Sequence, residues 1–350
     1  MQRLWPGAAA ALASAILFGA STPLAKLLLG NVEPWLLAAL LYLGAGAGLL
    51  AIRVARKLIG SPPEPGLHAR DIPWLIAIVF SGGVIGPVLL MFGLARTGAA
   101  TASLLLTLEG LATMAIAWLV YGENANRRIV VGAGAILAGA AVLAWPSQGV
   151  ALNFGALLIA AACLAWAIDN NLTRRLSYTD PVQLAMVKGL GAGATNAAIA
   201  LTFGAPLPGM SVVAGSLAVG CLGYGLSLAL FVVGLRHLGA ARTAAYFGTA
   251  PFVGALIAVA FFGEPLTTSL IAGGALIAAG IWIHLTERHE HPHVHEPIAH
   301  EHLHLHDEHH KHAHRPDEQP AAPHSHLHVH ERLAHRHPHY PDSHHRHGHG

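Results

Sequence analysis

Charged side chains are scarce in this chain of 350 residues. Asp, Glu, Lys and Arg make up 11% of it, whereas ordinary globular domains contain about 25%. Ten of the 18 acidic residues lie after residue 286, so the part before that point is poorer still. Hydrophobic residues make up 54% of the chain. This balance excludes an ordinary water-soluble domain and indicates a chain that lies largely in lipid.

Cysteine and phosphate-binding motifs are also lacking. The two cysteines, Cys163 and Cys221, both fall inside long apolar runs, so they indicate small packing residues and not a disulfide framework. The sequence contains no P-loop for nucleotide phosphates. The sequence therefore offers no site for a nucleotide-driven step, and we expect no enzymatic activity.

Long apolar runs fill residues 8 to 285. A membrane-spanning helix needs about 20 apolar residues, and runs of this length favour helices over the strands of about 10 residues found in membrane barrels. We predict that the first run is a retained helix and not a cleaved signal peptide. The predicted spans are 8–29, 34–54, 72–94, 98–121, 127–145, 152–173, 181–203, 211–235, 239–262 and 267–286.

Positive charges are distributed unevenly over the loops between these runs. If the N-terminus is inside, 11 Lys and Arg residues lie at inner connections and only two, Lys26 and Arg96, at outer ends. Cytoplasmic loops carry such an excess, so both termini are predicted to be cytoplasmic, in an inner (plasma) membrane. The inner residues are Arg3, Arg53, Arg56, Lys57, Arg70, Arg127, Arg128, Arg174, Arg175, Arg236 and Arg242.

Residue patterns recur at a fixed separation, which indicates an internal duplication. At an offset of 141 residues, Gly122-Glu123 corresponds to Gly263-Glu264, and in the first helices an offset of 148 relates Phe18 to Trp166. Five helices per copy is an odd number, so the second copy crosses the membrane in the opposite direction. We therefore predict an all-α integral membrane fold of two inverted repeats, 1–145 and 152–286, with a binding site where they meet.

The glycine-rich stretches "YGENANRRIVVGAGAILAGAAVL" and "FGEPLTTSLIAGGALIAAG" resemble the Gly-Glu and small-residue pattern of EamA-type carriers in the drug/metabolite transporter superfamily. The resemblance covers both halves. It implies ten helices and alternating access, and leaves the substrate open, since this superfamily carries amino acids, nucleotide precursors, sugars and drugs. The second half has the helix-breaking Ala250-Pro251 that is usual in this family, whereas the first has Glu109-Gly110. Both glutamates of the Gly-Glu pairs are expected to anchor a loop or to cap the next helix.

Several polar residues fall inside the spans. A buried ionisable side chain costs roughly 2.5–3.5 kcal/mol on insertion scales, so such residues usually have a function. Glu109 is predicted as a proton-coupling or cation-binding carboxylate with Lys188 as its partner. The alternative, that this pair is only a structural ion pair, stays open. The predicted cavity residues are Glu109, Lys188, Asp169, Asn170, Asn171, Ser21 and Thr22.

The C-terminal segment, 287–350, holds 23 of the 26 histidines in H-x-H repeats mixed with Pro, Asp and Glu. We expect it to be cytoplasmic, and disordered without metal. Neutral imidazole suits Zn(II), Cu(II), Ni(II) and Co(II), and the alternative that such binding is incidental stays open; no cofactor is required. The predicted ligands are His291, His293, His295, His302, His304, His306, His309, His310, His326, His328, His330, His337, His339, His345 and His347.

The segments "AIDNNLTRRLS" and "LLLTLEGLATMAIAWLVYGEN", together with the tail, resemble a subgroup of EamA-type proteins with His-rich tails, of which some relatives are associated with nickel and cobalt tolerance. The function predicted first is secondary transport, driven by an ion gradient or by the gradient of the substrate itself, with export of a small solute. Divalent metal efflux fed by the tail is the second hypothesis. A membrane-anchored metal buffer or sensor is the third. The expected partners are the lipid bilayer, the solute or metal substrate and a second copy in a homodimer, but no nucleic acid.

Overall fold

The computed structural model describes residues 5–60, 65–121, 127–145, 153–176, 179–238 and 240–286, together with four backbone segments of the tail. Within these residues it contains ten helices long and apolar enough to cross a membrane. This confirms the predicted all-helical membrane fold. The helices are α1 (Gly7–Leu28), α2 (Pro34–Leu58), α3 (Ala69–Arg96), α4 (Ala99–Val120), α5 (Arg127–Ala144), α6 (Phe154–Leu176), α7 (Pro181–Thr202), α8 (Met210–Leu235), α9 (Arg242–Phe262) and α10 (Thr268–Leu285).

Capping side chains set the start of several helices. The first turn of a helix leaves backbone N–H groups without intrahelical partners, and a side-chain oxygen just before the helix accepts one of them. Short loops therefore supply an oxygen at the required position. The caps are Glu33 on Leu36 N at 3.2 Å, Asn153 on Ala156 N at 3.3 Å, Asp180 on Val182 N at 2.8 Å and Thr267 on Leu270 N at 3.1 Å.

Two pairs of corresponding helices, α5 with α10 and α2 with α7, cross antiparallel at glycines. In the α5–α10 pair Gly139 lies against Gly273, and closer to the start of α5 Gly132 lies against Gly280. Residue numbers thus rise along one helix as they fall along the other, and the α2–α7 pair, crossing at Gly46, shows the same order. Helices with the same place in each repeat are therefore related by a two-fold axis that inverts one repeat relative to the other.

The other helix contacts occur in matching sets. Helix α1 packs against α8 and α9 of the second repeat, and its mate α6 packs against α3 and α4 of the first. This exchange is what a two-fold relation requires. The two inverted five-helix repeats predicted from the sequence are therefore present in the structure.

The regular helices are interrupted at equivalent places in the two repeats. Helix α3 is π-helical over Val79–Ile85 and its mate α8 is π-helical over Cys221–Leu226. Helix α4 is broken between Leu105 and Leu108, and α9 between Phe247 and Ala250. These positions agree with the 141-residue offset to within one residue.

The break in α4 forms without the proline that follows the break in α9. Pro251 lies at the start of the second part of α9, where its missing N–H costs no helical bond. In α4 the same position is Gly110, around which a Cβ would meet no atom within 4 Å. Glu109 consequently lies in the first turn of the second part of α4, where the helix dipole favours a negative charge.

Part of the His-rich tail pairs as strands. The strands are β1 (Glu290–His295), β2 (Ile298–His304), β3 (His324–His330) and β4 (Leu333–Pro338), and β1 pairs antiparallel with β4 while β2 pairs antiparallel with β3. The sequence predicted no regular structure here. A two-stranded ladder is only marginally stable by itself in water, so this pairing does not make the tail a packed domain.

We predict that Gly139→Ala lowers the thermal stability of the detergent-solubilised protein, because the new Cβ would lie 2.6 Å from Gly273 O. The expected cost is about 1–3 kcal/mol, as for other overpacked contacts. Gly134→Ala, on the same helix, is the control, because a Cβ there meets nothing within 4 Å. Its melting temperature should be unchanged or higher, since alanine favours helix. Equal loss in both variants would show that the close crossing does not limit stability.

Candidate functional site

A buried ion pair links α6 to α7 within the membrane-spanning part. Asp169 is 2% exposed, and its Oδ2 accepts a hydrogen bond from Lys188 Nζ. The prediction that Lys188 pairs with Glu109 is therefore wrong, because the ammonium group of Lys188 contacts Asp169. Lys188 is still near enough for its charge to act on the Glu109 carboxylate. The pair is not fully enclosed by the protein, because the Lys188 side chain is 21% exposed.

Glu109 is held by the amide next to this pair. Asn170 Nδ2 donates to Glu109 Oε1 at 2.9 Å and lies 3.3 Å from Thr113 Oγ1 one turn further along α4. Asn171 Nδ2 donates to Thr113 O at 3.1 Å and to Ala167 O at 2.9 Å. The two amides thus fix the second part of α4 on α6, and they orient the carboxylate that follows the helix break.

The π-helical segment of α3 forms the surface behind the ion pair. A π-helical turn displaces backbone carbonyls from their usual α-helical partners. Here Gly82 O accepts from Tyr42 OH and from Trp166 Nε1, both at 2.8 Å, and Gly83 O accepts from Asn196 Nδ2 at 2.9 Å. A side chain at position 82 would collide with the Asp169 carboxylate, so glycine is needed there.

Four aromatic rings lie next to this region, and one of them, Tyr42, reaches Gly82 O. We call Phe18, Tyr42, Tyr224 and Phe247 the aromatic cluster. The ring centroids are 5.9 Å apart for Phe18–Tyr224, 5.2 Å for Phe18–Phe247 and 6.1 Å for Tyr42–Tyr224. Tyr42 and Tyr224 lie near enough to Glu109 for its charge to act on their hydroxyl groups. Because the rings come from both repeats, the cluster and the polar residues together form one region between them.

The predicted serine and threonine of α1 lie behind the aromatic cluster. Ser21 and Thr22 are 1% and 3% exposed. Ser21 Oγ donates to Phe18 O at 2.6 Å and lies beside the Tyr224 hydroxyl. The structure therefore brings five of the predicted residues together: Glu109, Asp169, Asn170, Asn171 and Lys188. Ser21 is connected to them through Tyr224, and Thr22 is buried on α1 away from them.

The four rings of the aromatic cluster and the Gly82 carbonyl were absent from the sequence-based site. One signal was available, since Phe18 corresponds to Trp166 in the repeat and neither lies at a span end, where aromatic residues usually anchor to the interface. No pattern in the sequence indicated that the Gly82 carbonyl would need two side-chain donors.

Glu264 ties the start of α4 to the second repeat. Its carboxylate accepts hydrogen bonds from Ala99 N at 2.5 Å and Ala100 N at 2.9 Å. The sequence predicted a loop anchor or a cap on the following helix, and the helix actually capped is α4 of the other repeat. Its counterpart Glu123 lies outside the described residues.

Among the residues with described side chains, no group of three or more His, Cys, Asp or Glu is placed to hold a metal ion. Glu109 and Asp169 are the carboxylates of the polar region, and two carboxylates with a lysine do not match the ligand sets that transition metals prefer.

The sequence profile of the EamA-like transporter family matches the chain twice, over residues 5–145 and 153–286. The chain belongs to the EamA-like transporter family. It is accordingly a multi-pass membrane transporter and not an enzyme. An uncharacterized transporter from Methanothermobacter thermautotrophicus is 28% identical over 305 residues, which cover 81% of this chain and 87% of that relative. One solved crystal structure is similar with a TM-score of 0.57 and 25% identity, over 79% of this chain and 95% of the other.

We predict that Lys188→Met destabilises the folded protein, because it leaves the Asp169 carboxylate buried without its cationic partner. Removal of one member of a buried pair typically costs about 3–5 kcal/mol. Lys188→Met combined with Asp169→Asn should recover most of the melting temperature in detergent. If Glu109→Gln rescued Lys188→Met better than Asp169→Asn did, Lys188 would be paired with Glu109 after all.

Proposed function

We propose that this EamA-family transporter is a secondary carrier that exports a small organic solute and binds it between the two repeats. The observation that carries the proposal is the Glu109 carboxylate at the break of α4, which accepts a hydrogen bond from Asn170 and lies near the Asp169–Lys188 pair and Tyr224 of the aromatic cluster. An ionised carboxylate at this depth in the membrane must be hydrated, paired or protonated. A solute-binding region meets that requirement and gives the charge a role.

The region offers a carboxylate and aromatic rings, which favour a solute with two chemically different ends. Glu109 accepts a hydrogen bond from Asn170 at one oxygen, Oε1, and its Oε2 is suited to a donor or a cationic group of the solute. The faces of Tyr42 and Tyr224 attract cations and stack with flat apolar groups. The proposed solute therefore carries a protonated or hydrogen-bonding group together with an apolar part.

Protonation of Glu109 provides a route to coupling. A solute with a cationic group and a proton would compete for the same carboxylate, so that binding of one releases the other. The interrupted helices α3, α4, α8 and α9 surround the region in symmetric positions, as in carriers whose repeats exchange between two arrangements. These two features support exchange of the solute for a proton, which in the proposed direction of export moves the proton inward.

Divalent metal efflux has less support, because the described part of the membrane domain offers no ligand set for such an ion. The carrier also differs from a membrane-anchored buffer or sensor, which would not need a charged residue at mid-span. A homodimer stays a prediction.

We predict that Glu109→Gln abolishes transport while leaving insertion and folding intact. The Gln side chain can still accept the hydrogen bond from Asn170 but cannot carry the charge or the proton. Export is measured as accumulation of cytosolic metabolites in inside-out membrane vesicles, followed by untargeted mass spectrometry with and without a proton gradient. Glu33→Gln is the matched control, since Glu33 caps α2 at a span end through an oxygen that glutamine retains. Normal transport by Glu109→Gln would make Glu109 a structural residue.

We propose further that both termini lie in the cytoplasm and that the membrane is the plasma membrane, on the basis of the loop charges. A fluorescent reporter fused after residue 286 should be active, whereas an export-dependent phosphatase reporter fused at the same point should be silent. Moving the positive charges tests the cause, since orientation follows Lys and Arg in short loops. An active phosphatase fusion would reverse the proposed orientation.

A further inference from the structure

We propose that the tail contains a binding site for borderline divalent metals such as Zn(II), in which histidines of opposed strands share one face of a β-ladder. The inference is independent of the solute that the membrane domain carries. It rests on strand register and not on the number of histidines. A chain that is merely rich in histidine would bind metal with any arrangement of these residues, whereas the ladder requires a particular one.

The register of β2 and β3 places histidines directly opposite one another. His300 pairs with His328, His302 with His326, and His304 with His324. Alternate residues of a strand lie on the same face, and opposed residues share that face. These six positions, together with position 330, therefore belong to one face of the ladder. The other face is made of positions 299, 301, 303, 325, 327 and 329, none of which is histidine.

The second ladder repeats the arrangement on a smaller scale. In the pairing of β1 with β4, His291 is opposite His337 and His293 is opposite His335. His295 lies on the same face, opposite Leu333. Both ladders thus divide into one face rich in histidine and one without it. The H-x-H sequence alone puts the histidines of one strand on one face, and the register puts those of both strands on the same face. A shift of either register by one residue would move the histidines of the two strands to opposite faces.

The spacing of a ladder suits metal coordination. Opposed residues on one face have Cβ atoms about 4.5–5.5 Å apart, and diagonal neighbours about 7–8 Å apart. Imidazole nitrogens bind Zn(II) at about 2.0–2.1 Å, so rings from such positions can reach one ion between them. Two adjacent cross-strand pairs supply four imidazoles, the number in a closed tetrahedral site. Positions 300, 302, 326 and 328 form such a set, and Ni(II), Co(II) and Cu(II) accept the same ligand type.

Metal binding would also stabilise the strands. A two-stranded ladder is marginal in water, and a metal that joins both strands contributes its binding free energy to folding. The tail would then be ordered with metal and less ordered without it, in line with the prediction from sequence. His300, His324 and His335 join the ligands predicted from sequence. The predicted ligands His306, His309, His310, His339, His345 and His347 lie outside the described residues.

A permutation at constant composition tests the register in the full-length protein in detergent. The β3 variant carries His326→Leu, Leu327→His, His328→Val and Val329→His, which moves two histidines to the other face. We expect it to bind Zn(II) at least about tenfold more weakly at the tightest site, by analogy with the loss from other disturbed metal sites. Co(II) absorption should lose the intensity of a tetrahedral site. The matched control, His312→Ala with Ala313→His, permutes the chain between β2 and β3 and should bind as the natural protein does.

A compensating variant distinguishes register from other causes. Ala299→His, His300→Ala, Glu301→His and His302→Glu move the histidines of β2 to the other face, opposite the new positions in β3 according to the register. Added to the β3 variant, they should restore Zn(II) affinity and the Co(II) spectrum. All sites should weaken as the pH falls from 7.5 to 5, through the imidazole pKa of about 6.5. The proposal is overturned if the β3 variant binds Zn(II) like the natural protein, or if the compensating variant restores nothing.

Discussion

Hydrocarbon provides no water to accept or donate hydrogen bonds, so every backbone group released by an interrupted helix must find its partner inside the protein. The rest of the structure depends on this constraint. The π-helical segment of α3 is retained because Tyr42 and Trp166 both donate to Gly82 O, and because Asn196 donates to Gly83 O. These donors come from α2, α6 and α7, so a local irregularity fixes three neighbouring helices around it. Asp169 is then held against the same glycine.

The backbone of the protein is symmetric, but its chemistry is one-sided. The repeats share the positions of their π-helical segments and of their helix breaks. The side chains at equivalent positions differ, since Glu109 corresponds to Ala250 and Asp169 corresponds to Ser21. The symmetric backbone supports two equivalent arrangements of the repeats. The differing side chains give each carboxylate an uncharged counterpart in the other repeat, so the charge of the region is not symmetric.

The sequence was sufficient for the spans, the duplication and the inverted fold, because these follow from apolar run length and from residues that recur at a fixed offset. It also placed Glu109, Asp169 and Asn170 inside spans, because a polar residue within an apolar run is visible in the sequence. It was insufficient for the partner of Lys188. Position along a helix gives depth, but rotation of the helix about its own axis decides whether Lys188 meets Glu109 or Asp169. The aromatic cluster was missed for the same reason, since ring contacts depend on helix rotation. The strands of the tail were missed because their composition is typical of disorder.

The glycine crossings have a geometric consequence. The two-fold axis passes between the helices of each self-related pair, α2 with α7 at Gly46 and α5 with α10 at Gly139. The two-fold rotation that relates the repeats maps each of these pairs onto itself, whereas it relates the other six helices in pairs that do not share one crossing. Four of those six, α3, α4, α8 and α9, are the interrupted ones. The irregular backbone thus lies in helices away from the self-related pairs, and the regular, tightly crossed backbone lies in the two pairs on the axis.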